Sequence, residues 1–261
     1  MSKQDPDLSL VIACYNEAEH LETSVARLLN ICDLLNVAYE AIFIDDGSRD
    51  RTREILSALP AKYPSCRLSV HFNDKNRGRG ATVTRGLELA RAPIAGFLDI
   101  DLEVDASYVI PFYLAVLEGA DVVIGRRVYK FSFKSLPRFI LTRGYTLLRR
   151  AVLGLPFEDT EAGYKFFRMN TVRPVLAQCR EAGWFWDTEV VARAYDAGLR
   201  FREVNCLFLR RYDKTSTVRP IHDSWQYLTH LLAFRRAPRS SPKIFAEEFA
   251  AQDTDVVSPH D

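Results

Sequence analysis

Short apolar runs alternate with segments of helical periodicity through the first half of the chain. The apolar runs have the length and composition of buried strands, and the segments between them carry one apolar face. The predicted strands cover residues 8–13, 39–44, 68–72, 94–98 and 120–124, and the predicted helices cover 21–35, 52–59 and 81–90. This alternation predicts an α/β fold with a mostly parallel central sheet flanked by helices.

The second half of the chain has a less regular pattern. It predicts an amphipathic basic helix over 136–153, a helix that includes 190–197, a strand over 201–209 and a helix over 221–235. A length of 261 residues suffices for one large domain. We expect that domain to cover 1–237, and we expect residues 238–261, which combine Pro, Ser and charge, to form a flexible tail.

Polar clusters follow each of the first four predicted strands. Any one of them can be explained as a turn or as a helix cap. In a parallel sheet, however, the carboxyl ends of the strands meet at one edge, where the ligand crevice of such folds lies. Four clusters at that edge favour a nucleotide-binding site; they are Cys14-Tyr15-Asn16-Glu17, Asp45-Asp46-Gly47-Ser48, residues 73–80 and residues 99–103.

The last of these clusters has the spacing of a metal site. Asp99 and Asp101 come directly after a buried strand, and Glu103 adds a third carboxylate at the same spacing. In an extended segment, alternate side chains lie on one side of the backbone. Carboxylate oxygens suit Mg²⁺ or Mn²⁺, which complete their coordination with water and phosphate oxygens. The sequence therefore predicts a three-carboxylate metal site, with a simple turn as the alternative.

Overall composition restricts the class of protein further. The chain has 35 basic and 34 acidic residues, so its net charge gives no indication of nucleic-acid binding. Its five cysteines are scattered without a Cys-x-x-Cys pair, which indicates reduced thiols and a cytoplasmic location. The polar N-terminus does not look like a signal peptide, and no apolar stretch approaches the ~20 residues that cross a bilayer. We expect a soluble protein or one bound peripherally to a membrane surface.

One long stretch of the chain is strongly basic. Residues 122–157 contain no Asp or Glu. Basic residues on a helix commonly form a solvated face, but a stretch of this length favours an anionic partner, and the interleaved apolar residues would suit an anionic lipid surface. The basic residues are Arg126, Arg127, Lys130, Lys134, Arg138, Arg143, Arg149 and Arg150.

Taken in order, these motifs resemble the family 2 inverting glycosyltransferases, which share the GT-A fold and use nucleotide-sugar donors. The resemblance covers roughly residues 8–232, and two later motifs look like those of the polyprenyl-phosphate branch, which includes dolichyl-phosphate mannose and glucose synthases. The motifs are Val11-Ile12-Ala13-Cys14-Tyr15-Asn16-Glu17, Asp45-Asp46-Gly47-Ser48, Asn76-x-Gly78-x-Gly80, Asp99-x-Asp101, the segment 159–168 and Trp186-Asp187-Thr188-Glu189.

The resemblance implies a role for each matching residue. A donor half of about 8–125 would bind the nucleotide through Ala13, Tyr15, Glu17, Asp45, Asp46, Arg79 and Asp99, with Mg²⁺ or Mn²⁺ held by Asp99, Asp101 and Glu103. An acceptor half of about 126–237 would bind a lipid phosphate through Arg126, Arg127, Arg143 and Lys214. Arg79 or Lys214 would assist the departing diphosphate.

The implied reaction is the inverting transfer of a hexose from a UDP- or GDP-sugar to a polyprenyl phosphate, in which the metal bound by Asp101 neutralises the leaving group. A sugar or other hydroxyl acceptor is the first alternative. It would need a general base, for which Asp187 and Glu189 are the candidates. A non-catalytic protein that binds nucleotide sugars is the second alternative.

Overall fold

A seven-stranded sheet forms the centre of the molecule in the computed structural model, which describes residues 5–129, 152–209, 227 and 229–235. The strand order is β3-β2-β1-β4-β6-β5-β7. The strands are β1 (Leu8–Cys14), β2 (Tyr39–Asp45), β3 (Leu68–Phe72), β4 (Ile94–Leu98), β5 (Val122–Tyr129), β6 (Tyr164–Arg168) and β7 (Phe201–Phe208).

Six helices of eight residues or more pack on this sheet within the described ranges. They are α1 (Leu21–Leu35), α2 (Thr52–Lys62), α3 (Arg79–Leu89), α4 (Val109–Leu117), α5 (Met169–Leu176) and α6 (Trp186–Asp196). A 3-10 turn at Ala106–Tyr108 precedes α4, and residues 229–235 are helical. The predicted α/β fold with a mostly parallel sheet is confirmed.

Alternating side chains of the strands divide the core into two layers. In β1, Leu10 and Ile12 face the layer that α1, α2 and α4 cover, while Val11 faces the layer that α3, α5 and α6 cover. All three side chains are fully buried. A strand covered on both faces is mostly apolar, which is why β1, β2 and β4 are visible in the sequence as nearly continuous apolar runs.

Three elements in the described part of the chain are not predicted by the sequence pattern. Strand β6 has only five residues and carries Lys165 at its second position, which interrupts the apolar run. Helix α4 is apolar around its whole circumference, and α5 is short and contains Pro174, so neither shows a clear amphipathic period. Tertiary burial rather than local pattern establishes these elements.

Strand β6 runs antiparallel to both of its neighbours, β4 and β5. Its amino end therefore lies at the same edge of the sheet as the carboxyl ends of β1, β2 and β4. Tyr164 pairs with Leu98, and the Asp99 N–H donates to the Gly163 carbonyl at 3.1 Å. The topology thus brings residues from the second half of the chain directly to the crevice.

Several sequence-based expectations lie wholly or partly outside the described residues. The predicted basic helix over 136–153 is described only at its last two residues, and the helix over 221–235 is seen at Tyr227 and 229–235. The predicted tail, 238–261, is not described. Among the helices that the structure does describe, none has the length and hydropathy needed to span a membrane.

A substitution at Gly96, in the middle of β4, tests the packing of β4 against β6. A Cβ at this position would overlap the ring of Phe166 in the neighbouring strand β6. Because the core has no room for the added methyl group, we expect Gly96→Ala to lower the free energy of unfolding by about 1–3 kcal/mol. Urea denaturation measures this loss.

Gly183→Ala is the matched control, since no atom lies within 4 Å of the Cβ that would be added there. We expect its free energy of unfolding to stay within about 0.5 kcal/mol of the parent. Equal stability of the two variants would contradict the described packing of β4 against β6.

Candidate functional site

The loops that follow β1 and β2 are joined by hydrogen bonds at the rim of the crevice. Asn16 adopts a positive φ of 56°, its N–H donates to Ser48 Oγ at 2.9 Å, and its Oδ1 accepts from the Arg49 N–H at 2.8 Å. The Glu17 N–H donates to Thr52 Oγ1 at 2.7 Å. Ala13, Tyr15 and Glu17, which the sequence assigns to the nucleotide, lie partly exposed on this braced rim.

Asp45 and Asp46, at the end of β2, are both buried. Asp45 accepts the Ser48 N–H at 3.2 Å. Asp46 accepts the N–H groups of Arg77 and Gly78 at 2.9 and 3.0 Å, and the Asn73 amide at 2.7 Å. Its carboxylate is therefore used to hold the 73–80 loop. Its expected contact with a nucleotide stays a prediction.

The 73–80 loop ends in a close approach to the loop before α6. Gly78 has a φ of 95°, and a Cβ there would lie 2.5 Å from the Ala182 carbonyl oxygen. The Ala81 N–H donates to the same carbonyl at 3.0 Å. Positive φ and the absence of a side chain are both required, so glycine is needed at this position. The contact fixes the start of α3, which carries Arg79 into the crevice.

The guanidinium of Arg79 lies between two carboxylates from different elements. Its Nη2 donates to Asp99 Oδ1 at 2.6 Å, and its Nη1 donates to Asp187 Oδ2. Its carbon Cζ lies 5.3 Å from the ring centroid of Phe97 and 5.6 Å from that of Trp184. Burial by itself would lower the pKa of Arg79, but Asp187 and Asp99 outweigh it and hold the pKa above its usual value.

The two carboxylates differ in exposure. The side chain of Asp99 is 48% exposed and that of Asp187 is 2% exposed. Asp187 is therefore the buried anchor of Arg79, and Asp99 is the member of the group that faces the crevice. Gly163 permits the arrangement, because a Cβ there would overlap the Asp99 carboxylate and the Arg79 guanidinium.

Lys165 joins the group of Arg79, Asp99 and Asp187 from the buried side of Asp187. The sequence analysis assigned it no role. Its side chain is fully buried, and its Nζ donates to Asp187 Oδ1 at 2.5 Å and to the Ala162 carbonyl at 2.6 Å. Burial lowers the pKa of Lys165, and the carboxylate of Asp187 opposes that shift. The signal available in the sequence was a lysine within the short segment Tyr164–Arg168, where its neighbours are aromatic.

The segment after β4 turns instead of continuing as a strand. Strand β4 ends at Leu98, the Leu102 N–H bonds to the Asp99 carbonyl at 3.3 Å, and Leu102 has a positive φ of 52°. Alternate side chains share one side only in an extended backbone. Within the ranges that the structure covers, no three ligand side chains are grouped to hold one ion. The predicted cluster of Asp99, Asp101 and Glu103 is therefore not formed as a three-carboxylate site.

Glu189, a candidate general base, points away from the crevice. Its Oε2 accepts the N–H groups of Arg180 and Glu181 at 3.0 and 2.8 Å, its Oε1 accepts from Arg193 Nε at 2.8 Å, and the residue is 1% exposed. Because both oxygens are used and water cannot reach them, the expected role as a base is not compatible with this placement. Glu189 instead holds the loop that carries Trp184.

Two of the arginines expected to bind an acceptor phosphate are paired with acids that lie just beyond the basic stretch. Arg127 donates to Asp159 through Nε at 2.7 Å and through Nη2 at 2.9 Å. Partial burial by itself would raise the pKa of Asp159, but the guanidinium of Arg127 outweighs it and holds the pKa below its usual value. Arg126 bonds Glu158 at 2.8 Å and stays 43% exposed. Arg143 and Lys214 lie outside the described residues.

This sheet and its crevice define a GT-A fold. The fold matches that of the mannosyltransferase PcManGT from Pyrobaculum calidifontis, solved in complex with GDP-Man and Mn²⁺, with a TM-score of 0.55 and 15% identity over 98% of this chain and 78% of that one. The family model "Glycosyl transferase family 2" matches residues 9–175. The chain belongs to glycosyltransferase family 2.

The chain is also similar to two relatives with named enzymatic activities. The chain is 26% identical to a dolichyl-phosphate beta-glucosyltransferase of Dictyostelium discoideum over 211 residues, which are 76% of this chain and 64% of that protein. It is 34% identical to a dolichol-phosphate mannosyltransferase of Pyrococcus furiosus over 175 residues, 64% of this chain and 48% of that protein. The chain thus spans less than two thirds of either relative.

The two buried ion pairs of Asp187 predict how its removal changes stability. Asp187→Asn would leave the buried cations of Arg79 and Lys165 without the carboxylate between them. Removing one member of a buried ion pair costs about 3–5 kcal/mol, so we expect a loss of that size in urea denaturation. Glu54→Gln, which removes an exposed partner of Arg51, serves as the control and should leave the denaturation midpoint unchanged. An unchanged midpoint in Asp187→Asn would contradict the network.

Proposed function

We propose that the chain is an inverting glycosyltransferase that moves a hexose from a nucleotide-diphosphate sugar to a polyprenyl phosphate. The observation that carries the proposal is the placement of Arg79, a buried cation held at the carboxyl ends of β1 and β4 by Asp99 and Asp187. A fixed positive charge at this edge suits the diphosphate of a donor. The names of the relatives supply the acceptor class, because both act on dolichyl or dolichol phosphate.

The donor nucleoside would lie over the rim formed after β1 and β2. Tyr15 and Glu17 are partly exposed there, and Asp45 lies buried behind them. The loop hydrogen bonds through Asn16, Ser48 and Thr52 hold this rim in place before a ligand arrives. A rim that is already ordered reduces the entropy lost on binding.

Asp99 and Asp101 are the residues that would hold a divalent cation. Hard carboxylate oxygens at the crevice fit Mg²⁺ or Mn²⁺, which commonly take one or two carboxylates together with phosphate oxygens. Asp99 directs Oδ1 to Arg79 and is half-exposed. When bound, such a cation would neutralise charge that develops on the departing diphosphate.

The reaction needs little proton transfer if the acceptor is a phosphate. A phosphate oxygen of the acceptor attacks the anomeric carbon, the bond from that carbon to the donor diphosphate breaks, and the electron pair leaves with the diphosphate. The acceptor oxygen is already anionic, so it has to be positioned rather than deprotonated. Arg79, fixed against Asp99, stabilises the negative charge on the leaving group.

A hydroxyl acceptor, by contrast, would require a general base. The two candidates are both buried, since Asp187 is bonded to Arg79 and Lys165, and Glu189 holds the 180–181 backbone. Neither carboxylate faces the crevice as a base would. The geometry therefore favours the phosphate acceptor. An enzyme that uses a polyprenyl phosphate would act at a membrane surface.

The donor proposal predicts a thermal shift. UDP-glucose or GDP-mannose with Mn²⁺ should stabilise the parent protein, by about 2.7 kcal/mol at a ligand concentration of 100 Kd. Asp101→Ala should lose the part of the stabilisation that depends on Mn²⁺, because one oxygen ligand is gone. Differential scanning fluorimetry with and without EDTA measures both effects.

The control variant is Glu118→Ala, which removes an exposed carboxylate at the end of α4, far from the crevice. It should keep the full Mn²⁺-dependent shift. Absence of a shift with any UDP- or GDP-sugar would contradict the donor proposal, and a full shift in Asp101→Ala would contradict its metal component.

The acceptor proposal predicts a preference for phosphate over alcohol. Transfer to a short polyprenyl phosphate should proceed, and transfer to the alcohol of the same chain should not, because the alcohol lacks the anionic nucleophile. Arg126→Ala and Arg143→Ala should raise the KM for the phosphate about tenfold, the scale of one lost charged contact. The control is Arg51→Ala, which removes an exposed arginine on the donor side and should leave that KM unchanged.

Equal transfer to the alcohol and to the phosphate would contradict the acceptor proposal and favour the hydroxyl alternative. Binding of the donor without any transfer would favour a non-catalytic role.

A further inference from the structure

Lys165 is the most unusual buried group next to the crevice. A lysine amine is rarely buried completely unless it is paired, and this one has no exposed surface. It lies on β6, opposite Phe97 of β4 in the register of the sheet, and its Nζ is 5.4 Å from the Phe97 ring centroid. It does not reach the crevice itself, since Asp187 lies between Lys165 and Arg79.

The contacts form a chain of alternating charge from the core to the crevice. Lys165 bonds Asp187 Oδ1, Asp187 Oδ2 bonds Arg79 Nη1, and Arg79 Nη2 bonds Asp99 Oδ1. Each carboxylate oxygen of Asp187 therefore has a different cationic partner. Because Lys165 holds Oδ1, the plane of the Asp187 carboxylate is fixed, and Oδ2 is directed at Arg79.

We propose that Lys165 is a positioning residue of the donor site, which orients Asp187 so that Arg79 is held in place against Asp99. The inference rests on the proposed function and names a residue behind the donor site. Lys165 contacts neither donor nor acceptor. Its effect on binding passes through the orientation of the Arg79 guanidinium.

A purely structural ion pair would make a different prediction. If Lys165 only compensated the charge of Asp187, Lys165→Met would lower stability without loosening Arg79 or weakening the donor. If Lys165 positions Arg79 through Asp187, Lys165→Met should weaken the donor in the parent, and it should add nothing once Asp187 is replaced, because Asp187 is the contact between them. The effect of Lys165→Met in the two backgrounds therefore separates the two roles.

The test compares Lys165→Met, Asp187→Asn and the double variant Lys165→Met/Asp187→Asn. Lys165→Met should lower the melting temperature, because Asp187 Oδ1 loses its donor. It should also bind UDP-glucose or GDP-mannose, whichever stabilises the parent, about 10–100-fold more weakly, the range found when residues that support a binding group are removed. The double variant should bind that donor no more weakly than Asp187→Asn alone. Titration calorimetry measures the affinities.

A second readout follows Arg79 without any ligand. In protein labelled with ¹⁵N-arginine, the buried and bonded guanidinium of Arg79 should show slow proton exchange by NMR. Lys165→Met should accelerate that exchange at least about tenfold, since a guanidinium that is no longer held in place opens to water more often. Unchanged exchange in Lys165→Met would overturn the proposal, even if neither nucleotide sugar binds to the parent.

Glu40→Gln is the control for loss of stability alone. Glu40 is buried, accepts from Ser9 Oγ at 2.7 Å and is paired with Arg91. It lies at the start of β2, at the opposite edge of the sheet from the crevice. This variant should be less stable, with unchanged donor affinity and unchanged Arg79 exchange. Parent-like affinity in Lys165→Met would overturn the role of Lys165, whereas a parent that binds neither nucleotide sugar would overturn the proposed function.

Discussion

The buried ion pair of Arg79 with Asp187 is the interaction on which the crevice depends. A guanidinium placed at this depth loses most of its hydration, and that loss is offset only while carboxylates surround it. Asp187 meets this requirement from α6 and Asp99 meets it from the end of β4. Because the two carboxylates come from distant parts of the chain, this edge of the crevice requires α6 to pack beside the end of β4.

The antiparallel strand β6 is what makes this assembly possible. It lies between β4 and β5 and delivers Gly163 and Lys165 to the edge where the parallel strands end. Gly163 leaves room for the Asp99 carboxylate, and the buried amine of Lys165 donates to Asp187. Strands from the first and second halves of the chain therefore form one sheet, and β6 contributes directly to the edge where Arg79 lies.

Sequence patterns predicted the parallel part of the fold well, because strands buried on both faces, such as β1 and β4, are mostly apolar. They also located the crevice, since polar clusters such as Asp45-Asp46 follow the strand ends. Pattern alone could not find long-range pairing. It treated Asp99, Asp101 and Glu103 as one extended segment, although Leu102 turns the chain. It also placed Arg127 in a stretch without acidic residues, although Asp159 lies beside it in space.

The affinity of the Arg79→Lys variant for UDP and GDP tests the central claim most directly. Lysine keeps the positive charge but lacks the planar fork that holds Asp99 and Asp187 at once. The account predicts that affinity for the nucleotide that binds the parent falls about tenfold or more, a difference of at least about 1.4 kcal/mol. Parent-like affinity in Arg79→Lys would contradict it, because charge alone would then suffice.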